Sequence, residues 1–284
     1  MGTLSPWVKL VRFEEYGPLF LLCGLAGVLY AGVGSPYAVG GLLAFVASFS
    51  ASAFVLNDIA DRSEDALSAG TRNPLATGEL RFSSGVGLFV LLAAASAVSL
   101  YFVSPPALYL APMVYGLYWG YSWGPGFRAR PGVDVVVHGA VPALFVLMGT
   151  LLFRPPSAGA VLIAGVVFCM AAMSGLLQEV RDIGRDAASR RTTALALGKE
   201  RSADLALSAL LAGASLYCAA ALSGAIPPAM LALAPFTLML AWPVLQLRKG
   251  KVDADAAIRS VRGRGLALAG SALLLFLVVS AAGL

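Results

Sequence analysis

Nine long apolar runs mark out the chain, at residues 16–33, 37–56, 85–103, 107–121, 133–152, 158–177, 205–222, 229–247 and 265–283. A bilayer core takes about 20 apolar residues per helix, with a range of roughly 17 to 25, so each run predicts a membrane span, the fourth a short one. The predicted fold is all-α: a polytopic membrane protein of nine helices in one bundle, forming a single domain over residues 1–284. The connections alternate in length. GSP and SGAIPP are tiny, whereas two loops of about 27 residues, 57–83 and 178–204, lie on the other side. Irregular backbone is excluded from lipid, so these loops predict a polar cap on one face, and that is where the chemistry is expected.

With the N-terminus in the cytosol, nineteen of the twenty Lys and Arg residues fall on the inner segments and only Arg154 falls outside. Cytosolic loops carry such an excess, so the count predicts the orientation and supports an odd number of spans. All fifteen acidic residues fall on the inner side too.

Composition agrees with the pattern. Hydrophobic residues make up 59% of the chain and charged residues 12%, and the mean hydropathy is +0.83. Soluble domains carry about 25% charged residues, so a water-soluble globule is excluded. The net charge of +5 resides in short loops between apolar runs, and nucleic acid is not an expected partner. No obligate protein partner is implied. Cys23, Cys169 and Cys218 lie inside apolar runs without pairing or metal spacing and read as small buried hydrophobes. The first residues, MGTLSPWVKLVRFEEYGPLF, lack a small-residue cleavage site and read as the start of the mature protein.

Two acidic clusters follow the second and sixth runs. If the helix continues through LNDIADRSED, then Asn57, Asp61 and Asp65 share one face, with Asp58 beside Asn57. In QEVRDIGRD, Glu179, Asp182 and Asp186 stand three and four apart. Writing Asn57 over Gln178 aligns Asp58 with Glu179, Asp61 with Asp182, Asp65 with Asp186 and Thr71 with Thr192 without a gap, an internal repeat offset by 121 residues. Like charges at this spacing repel by a few tenths of a kcal/mol each, and a bound cation removes the repulsion. Oxygen donors without His or Cys suit Mg²⁺, which takes one or two carboxylates and completes its shell with water and phosphate oxygens. The candidate metal ligands are therefore Asn57, Asp58, Asp61, Asp65, Glu179, Asp182 and Asp186, with a diphosphate as the natural bridging ligand. The alternative is a pair of solvated helices whose acids pair with Arg62, Arg181 and Arg185; two matching clusters favour the metal.

The NDxxDxxxD run after the second helix and DxxxD after the sixth, in a nine-helix chain, resemble the UbiA superfamily of intramembrane prenyltransferases. The resemblance covers nearly the whole chain. It implies that Asn57, Asp61, Asp65, Asp182 and Asp186 are the catalytic residues that hold Mg²⁺, two ions with one at each cluster, against an isoprenyl diphosphate. TRNPLATGEL looks like the family's Arg-x-Pro-x-x-x-Gly segment, making Arg72 a phosphate contact, and RRTTALALG like its Thr-x-x-x-x-Gly stretch, with Arg190 or Arg191 assisting. Arg12 sits where the family often has an arginine. After the fourth helix the text is YSWGPGFRARPGVD, with Arg128 and Arg130 where the family usually has a lysine; Arg128 is the candidate for that substrate-binding role, which the resemblance leaves open.

The implied reaction ionises an allylic C–O bond, with diphosphate neutralised where it leaves and the prenyl chain in a water-poor channel. Segments such as ASFSASAF, LLAAASAVS and MAAMSG read as close helix packing, or as a groove for that chain. Tyr115, Tyr118, Trp119, Tyr121 and Trp123 read as an interfacial belt, or in part, through Tyr121, as rings shielding a carbocation. His138 reads as a structural hydrogen-bonding residue or a proton acceptor, and Asp134 as another proton acceptor or a helix cap. The resemblance implies a lipophilic acceptor, an aromatic ring such as 4-hydroxybenzoate first, with glycerol-phosphate lipids, carotenoids or cyclisation of the donor as alternatives. A cation-coupled transporter would also carry helices and carboxylates, but its ionisable groups belong near the membrane midplane and not at helix ends.

Overall fold

The computed structural model describes residues 5–67, 71–123, 126–186 and 191–282, with all their side chains except those of Glu14, Glu15, Arg185 and Asp186. The architecture is all-helical: α1 (Pro6–Val11), α2 (Phe13–Ala31), α3 (Pro36–Asp65), α4 (Phe82–Ser99), α5 (Pro105–Leu108), α6 (Ala111–Ser122), α7 (Val133–Leu151), α8 (Ala158–Asp186), α9 (Thr193–Leu197), α10 (Lys199–Leu222), α11 (Ala234–Thr237), α12 (Ala241–Arg248) and α13 (Ala254–Ala281). Among the described residues seven helical segments are long and apolar enough to cross a membrane, and Tyr16–Ala31 is a shorter apolar helix.

Two of the nine predicted spans differ from a plain helix. The fourth run is split into one-turn α5 and twelve-residue α6, since Pro105, Pro106 and Pro112 supply no N–H donor for a continuous ladder. The eighth, Pro228–Arg248, alternates 3₁₀ and α turns through α11 and α12, with prolines at 228, 235 and 243 releasing backbone bonds.

The helices that position the site are the two longest. Thirty residues of α3 span about 45 Å and 29 residues of α8 nearly as much, against a hydrocarbon core of about 30 Å. Their last turns therefore overshoot the apolar layer, and the helix continues through both acidic clusters. The helices α7, α10 and α13 pack around α8, while α3 lies between α4 and α2, and α2 crosses α7.

At the α2–α7 crossing the backbones touch. A Cβ on Gly27 would stand 1.9 Å from the Val146 carbonyl oxygen, and one on Gly149 would stand 2.3 Å from that of Gly24. Small residues permit such approach in membranes. Gly27→Ala is expected to push the helices apart and cost about 1–3 kcal/mol, read as a lower thermal midpoint in detergent. Gly87→Ala, where a Cβ meets nothing within 4 Å, should leave the midpoint unchanged.

Candidate active site

The end of α3 carries the first cluster. Asp58 and Asp61 are 1% and 4% exposed, and each carboxylate is matched by an arginine from another segment. Arg12 Nη2 lies 2.5 Å from Asp58 Oδ1, and Arg128 pairs with Asp61. Asn57 Nδ2 donates to Asp61 Oδ2 at 3.2 Å. Both arginines are set by unusual backbone. Arg12 joins α1 to α2 and is the one non-glycine residue with positive φ, +50°, among the described residues, a conformation costing an L-residue about 1–2 kcal/mol. Arg128 sits on a 3₁₀ turn, Phe127–Ala129, between Gly126 at φ +62° and Gly132 at φ +85°; glycine adopts these angles without a Cβ clash, which folds the segment back over α3.

The loop after α3 closes on the same cluster. Asn73, 1% exposed, donates from Nδ2 to the Asp58 carbonyl at 2.8 Å and to Asp65 Oδ2 at 2.9 Å. Its Oδ1 accepts from Leu75 N–H, and Leu75 packs with Leu10 and Val55. Arg62 turns away, its Nε donating to the Leu75 carbonyl at 3.2 Å and its guanidinium lying over the Phe82 ring.

The second cluster is built differently. Asp182 receives both Nε and Nη2 of Arg181 at 2.8 Å. Glu179 Oε2 accepts from Ala194 N–H at 3.0 Å and so ties the following loop down. Position 194 is 121 residues after 73, and 179 is 121 after 58: in one half a side-chain amide meets a backbone carbonyl, in the other a backbone amide meets a side-chain carboxylate. Asp134, 1% exposed, accepts from Thr193 N–H at 2.7 Å, Thr193 Oγ1 at 2.5 Å and Val135 N–H at 2.8 Å. It anchors the start of α9. The side chain of Asp186 and the whole of Arg190 lie outside the described residues, and Arg191 is exposed and does not line the cavity described next.

One cavity of about 1010 Å³ joins the two clusters. Asn57, Asp58, Asp61, Asp65, Glu179, Asp182, Arg12, Arg72, Arg128 and Tyr121 all line it. Below them its wall is apolar, with Leu19, Phe20 and Cys23 from α2, Val137 and Val141 from α7, and Val167 and Met170 from α8. The segments ASFSASAF and MAAMSG contribute to this wall, through Phe49, Ser50, Ala53 and Phe54 and through Met170, Ala171, Met173 and Ser174. The aromatic group on α6 divides. Tyr118 and Tyr121 face the cavity, Tyr118 donating to the Ala53 carbonyl and Tyr121 Oη lying 2.9 Å from His138 Nε2; Trp119 and Trp123 are 57% and 62% exposed. His138 lines the cavity, whereas Asp134 does not.

Sequence reasoning passed over several polar cavity residues, Asn73, Tyr16, Asp255 and Arg262 among them. Asn73 stood next to Arg72 in TRNP, and its clamp on Asp58 and Asp65 needs the loop's return path to be known. Tyr16, Asp255 and Arg262 come from the first and last spans. Tyr16 Oη donates to Gln178 Oε1 at 2.9 Å and accepts from Arg262 Nη2 at 2.9 Å, with the Arg262 guanidinium 4.5 Å over the Tyr16 ring. Nothing in the spacing of those residues signals that α2, α8 and α13 meet.

The donors facing the polar end are carboxylate and amide oxygens, which suit a hard cation such as Mg²⁺. Among the described residues no three Asp, Glu, His or Cys side chains converge on one point; Mg²⁺ needs only one or two carboxylates and completes its shell with water and phosphate oxygens.

A model of the UbiA prenyltransferase family matches residues 20–266. The chain belongs to that family. Its members are prenyltransferases, and the apolar helices make this one an integral membrane enzyme. The fold is similar to a UbiA homologue from Archaeoglobus fulgidus bound to GPP and Mg²⁺, with TM-score 0.74 and 18% identity over 95% of this chain and 99% of that one. An apo UbiA homologue from Aeropyrum pernix K1 gives TM-score 0.77 and 18% identity over 94% and 99%. A digeranylgeranylglyceryl phosphate synthase structure gives 0.70 and 16% over 98% of each chain. No curated protein sequence matches the chain.

Proposed function

We propose that this UbiA-family enzyme transfers a polyprenyl group from an allylic isoprenyl diphosphate to a lipophilic acceptor, an electron-rich aromatic ring such as 4-hydroxybenzoate. The observation that carries this reading is a single cavity lined at one end by carboxylates and arginines and along the rest of its length by apolar side chains. A prenyl diphosphate has that same division of charge and hydrocarbon. In this reading nine spans form one domain with the N-terminus and the polar end of the cavity in the cytosol, an orientation supported by the distribution of Lys and Arg.

In this reading Asn57, Asp61 and Asp65 would hold one Mg²⁺ and Asp182 and Asp186 a second, and the bound cations would supply positive charge against the diphosphate oxygens. Arg72, Arg12 and Arg128 line the same end of the cavity and bind the diphosphate, Arg12 and Arg128 from their places beside Asp58 and Asp61. The C1–O electron pair departs with diphosphate, a ring carbon of the acceptor bonds to C1, and the ring proton is lost. The apolar wall keeps water from C1, and Tyr118 and Tyr121, which line the cavity, supply aromatic rings to shield positive charge there. The Tyr121–His138 pair stands in the cavity wall to receive the proton, since Asp134 is committed to Thr193.

The test uses the full chain purified in detergent with Mg²⁺, geranylgeranyl diphosphate and 4-hydroxybenzoate, reading pyrophosphate release and the mass of the extracted lipid. The expected result is a prenylated benzoate, lost on chelation with EDTA. Release without that product, with transfer to a glycerol-phosphate lipid in parallel, would move the acceptor to the non-aromatic class. No metal-dependent release from any donor would overturn the transferase reading in favour of cation transport.

A further inference from the structure

One arginine of the cavity comes from a different wall than those assigned to the diphosphate. Arg12, Arg72 and Arg128 reach the polar end from the α1–α2 junction and from the segments after α3 and α6, whereas Arg262 belongs to the last span, α13. An ionisable side chain within a membrane-spanning segment is costly and characteristically marks a substrate or ion site. The Arg262 guanidinium is fixed by Tyr16 of α2: Nη2 donates to Tyr16 Oη at 2.9 Å, and Cζ stands 4.5 Å from the centre of the Tyr16 ring. Tyr16 Oη in turn donates to Gln178 Oε1 of α8 at 2.9 Å. All three side chains are half-buried and line the cavity.

Tyr16 also belongs to a row of rings. It stacks on Phe54 with centroids 5.3 Å apart and on Phe20 with centroids 6.3 Å apart, at interplanar angles of 26° and 24°, and all three rings line the cavity. Phe54 precedes Asn57 by one turn of α3, and Gln178 directly precedes Glu179 on α8. The row therefore lies about one helical turn, near 5 Å, from the acidic clusters.

A guanidinium presents planar N–H forks that match a carboxylate, and aromatic rings favour offset stacking on one another. A cation at the edge of a row of rings, one turn from the diphosphate end, has the complementary chemistry for an aromatic acid. We infer that Arg262 anchors the carboxylate of an aromatic-acid acceptor, whose ring lies against the Phe20–Tyr16–Phe54 row. Tyr16 is the positioning residue that holds the guanidinium. The inference rests on the prenyl-transfer reading and adds to it the group by which the acceptor is bound.

The experiment measures kcat/KM of the full chain in detergent, with Mg²⁺ and geranylgeranyl diphosphate, for 4-hydroxybenzoate and for its neutral counterpart 4-hydroxybenzamide. The quantity read is the change in the acid-to-amide ratio between parent and variant, so the intrinsic reactivity of the two rings and the fraction folded both cancel. Arg262→Gln should lower the ratio about tenfold or more, the size of effect that hydrogen bonds to a charged group have, through KM for the acid and with KM for the donor unchanged. Arg262→Lys should fall between, since an ammonium keeps the charge and loses the fork. Tyr16→Phe keeps the ring but frees Nη2, and should lower the ratio about threefold. An unmoved ratio in Arg262→Gln, or a rise in donor KM in place of a change in the ratio, would overturn the anchor and leave prenyl transfer standing. Transfer to a glycerol-phosphate lipid and to neither benzoate derivative would overturn the aromatic-acid class. Pyrophosphate release from no donor would overturn the transfer reading itself, and the anchor with it.

Discussion

Asp61→Asn is expected to lower prenyl transfer by on the order of 10³-fold, mostly in kcat, because charge stabilisation at a departing anion is typically the largest single contribution to such catalysis. Asp61 is 4% exposed, sits on the overshooting turn of α3 and faces the cavity beside Asn57. Asparagine keeps the shape and one oxygen but removes the charge that a cation needs. The same change strands Arg128, whose side chain is 13% exposed, and removing one partner of a buried pair costs about 3–5 kcal/mol. Activity loss through unfolding must therefore be separated from loss of chemistry. The double variant Asp61→Asn with Arg128→Gln removes both charges and should regain much of the thermal midpoint while staying inactive. Recovery of transfer along with the midpoint would make Asp61 a structural counter-ion and remove it from the catalytic set.

Asp134→Ala is expected to be the most damaging substitution outside the cavity, costing about 3 kcal/mol or more because hydrogen bonds to a charged acceptor contribute about 1.5–3 kcal/mol each. Asp134 accepts from Val135 N–H, Thr193 N–H and Thr193 Oγ1, and Thr193 is itself 5% exposed. Alanine leaves the two Thr193 donors buried without this acceptor. The thermal midpoint in detergent should fall by roughly 10 °C, and Thr193→Val should lose part of that. As the start of α9 loosens, the Glu179–Ala194 tie should weaken with it, raising KM for the donor more than it lowers kcat. Asp134→Asn with an unchanged midpoint and no transfer would give Asp134 the proton-accepting role instead.

Much of this enzyme is legible in one dimension because a bilayer imposes a simple rule on a chain: each backbone polar group within it must be paired locally. Apolar run length therefore reports helices, and the runs at 37–56 and 158–177 correspond to α3 and α8. The 121-residue offset between the acidic clusters is likewise a property of spacing alone, and so are the oxygen donors that suit Mg²⁺. Proline-rich runs were less legible, since Pro105, Pro106 and Pro112 break the fourth helix while leaving its hydropathy intact.

Charge pairing depended on contacts distant in sequence. Arg12 lies 46 residues before Asp58, and Arg128 67 residues after Asp61. Arg62, four residues from Asp58, turns instead to Phe82 and the Leu75 carbonyl. His138 and Asp134 are one helical turn apart, yet one lines the cavity and the other anchors Thr193. Residue types and spacings determined the helices, the acidic faces and the kind of cation they suit, because those depend on local backbone geometry and on donor chemistry. Which arginine meets which carboxylate, which tyrosines turn inward and how deep the apolar cavity runs were decided only by the packing of α2, α3, α8 and α13, because a cavity is bounded by side chains that meet only after the chain has folded.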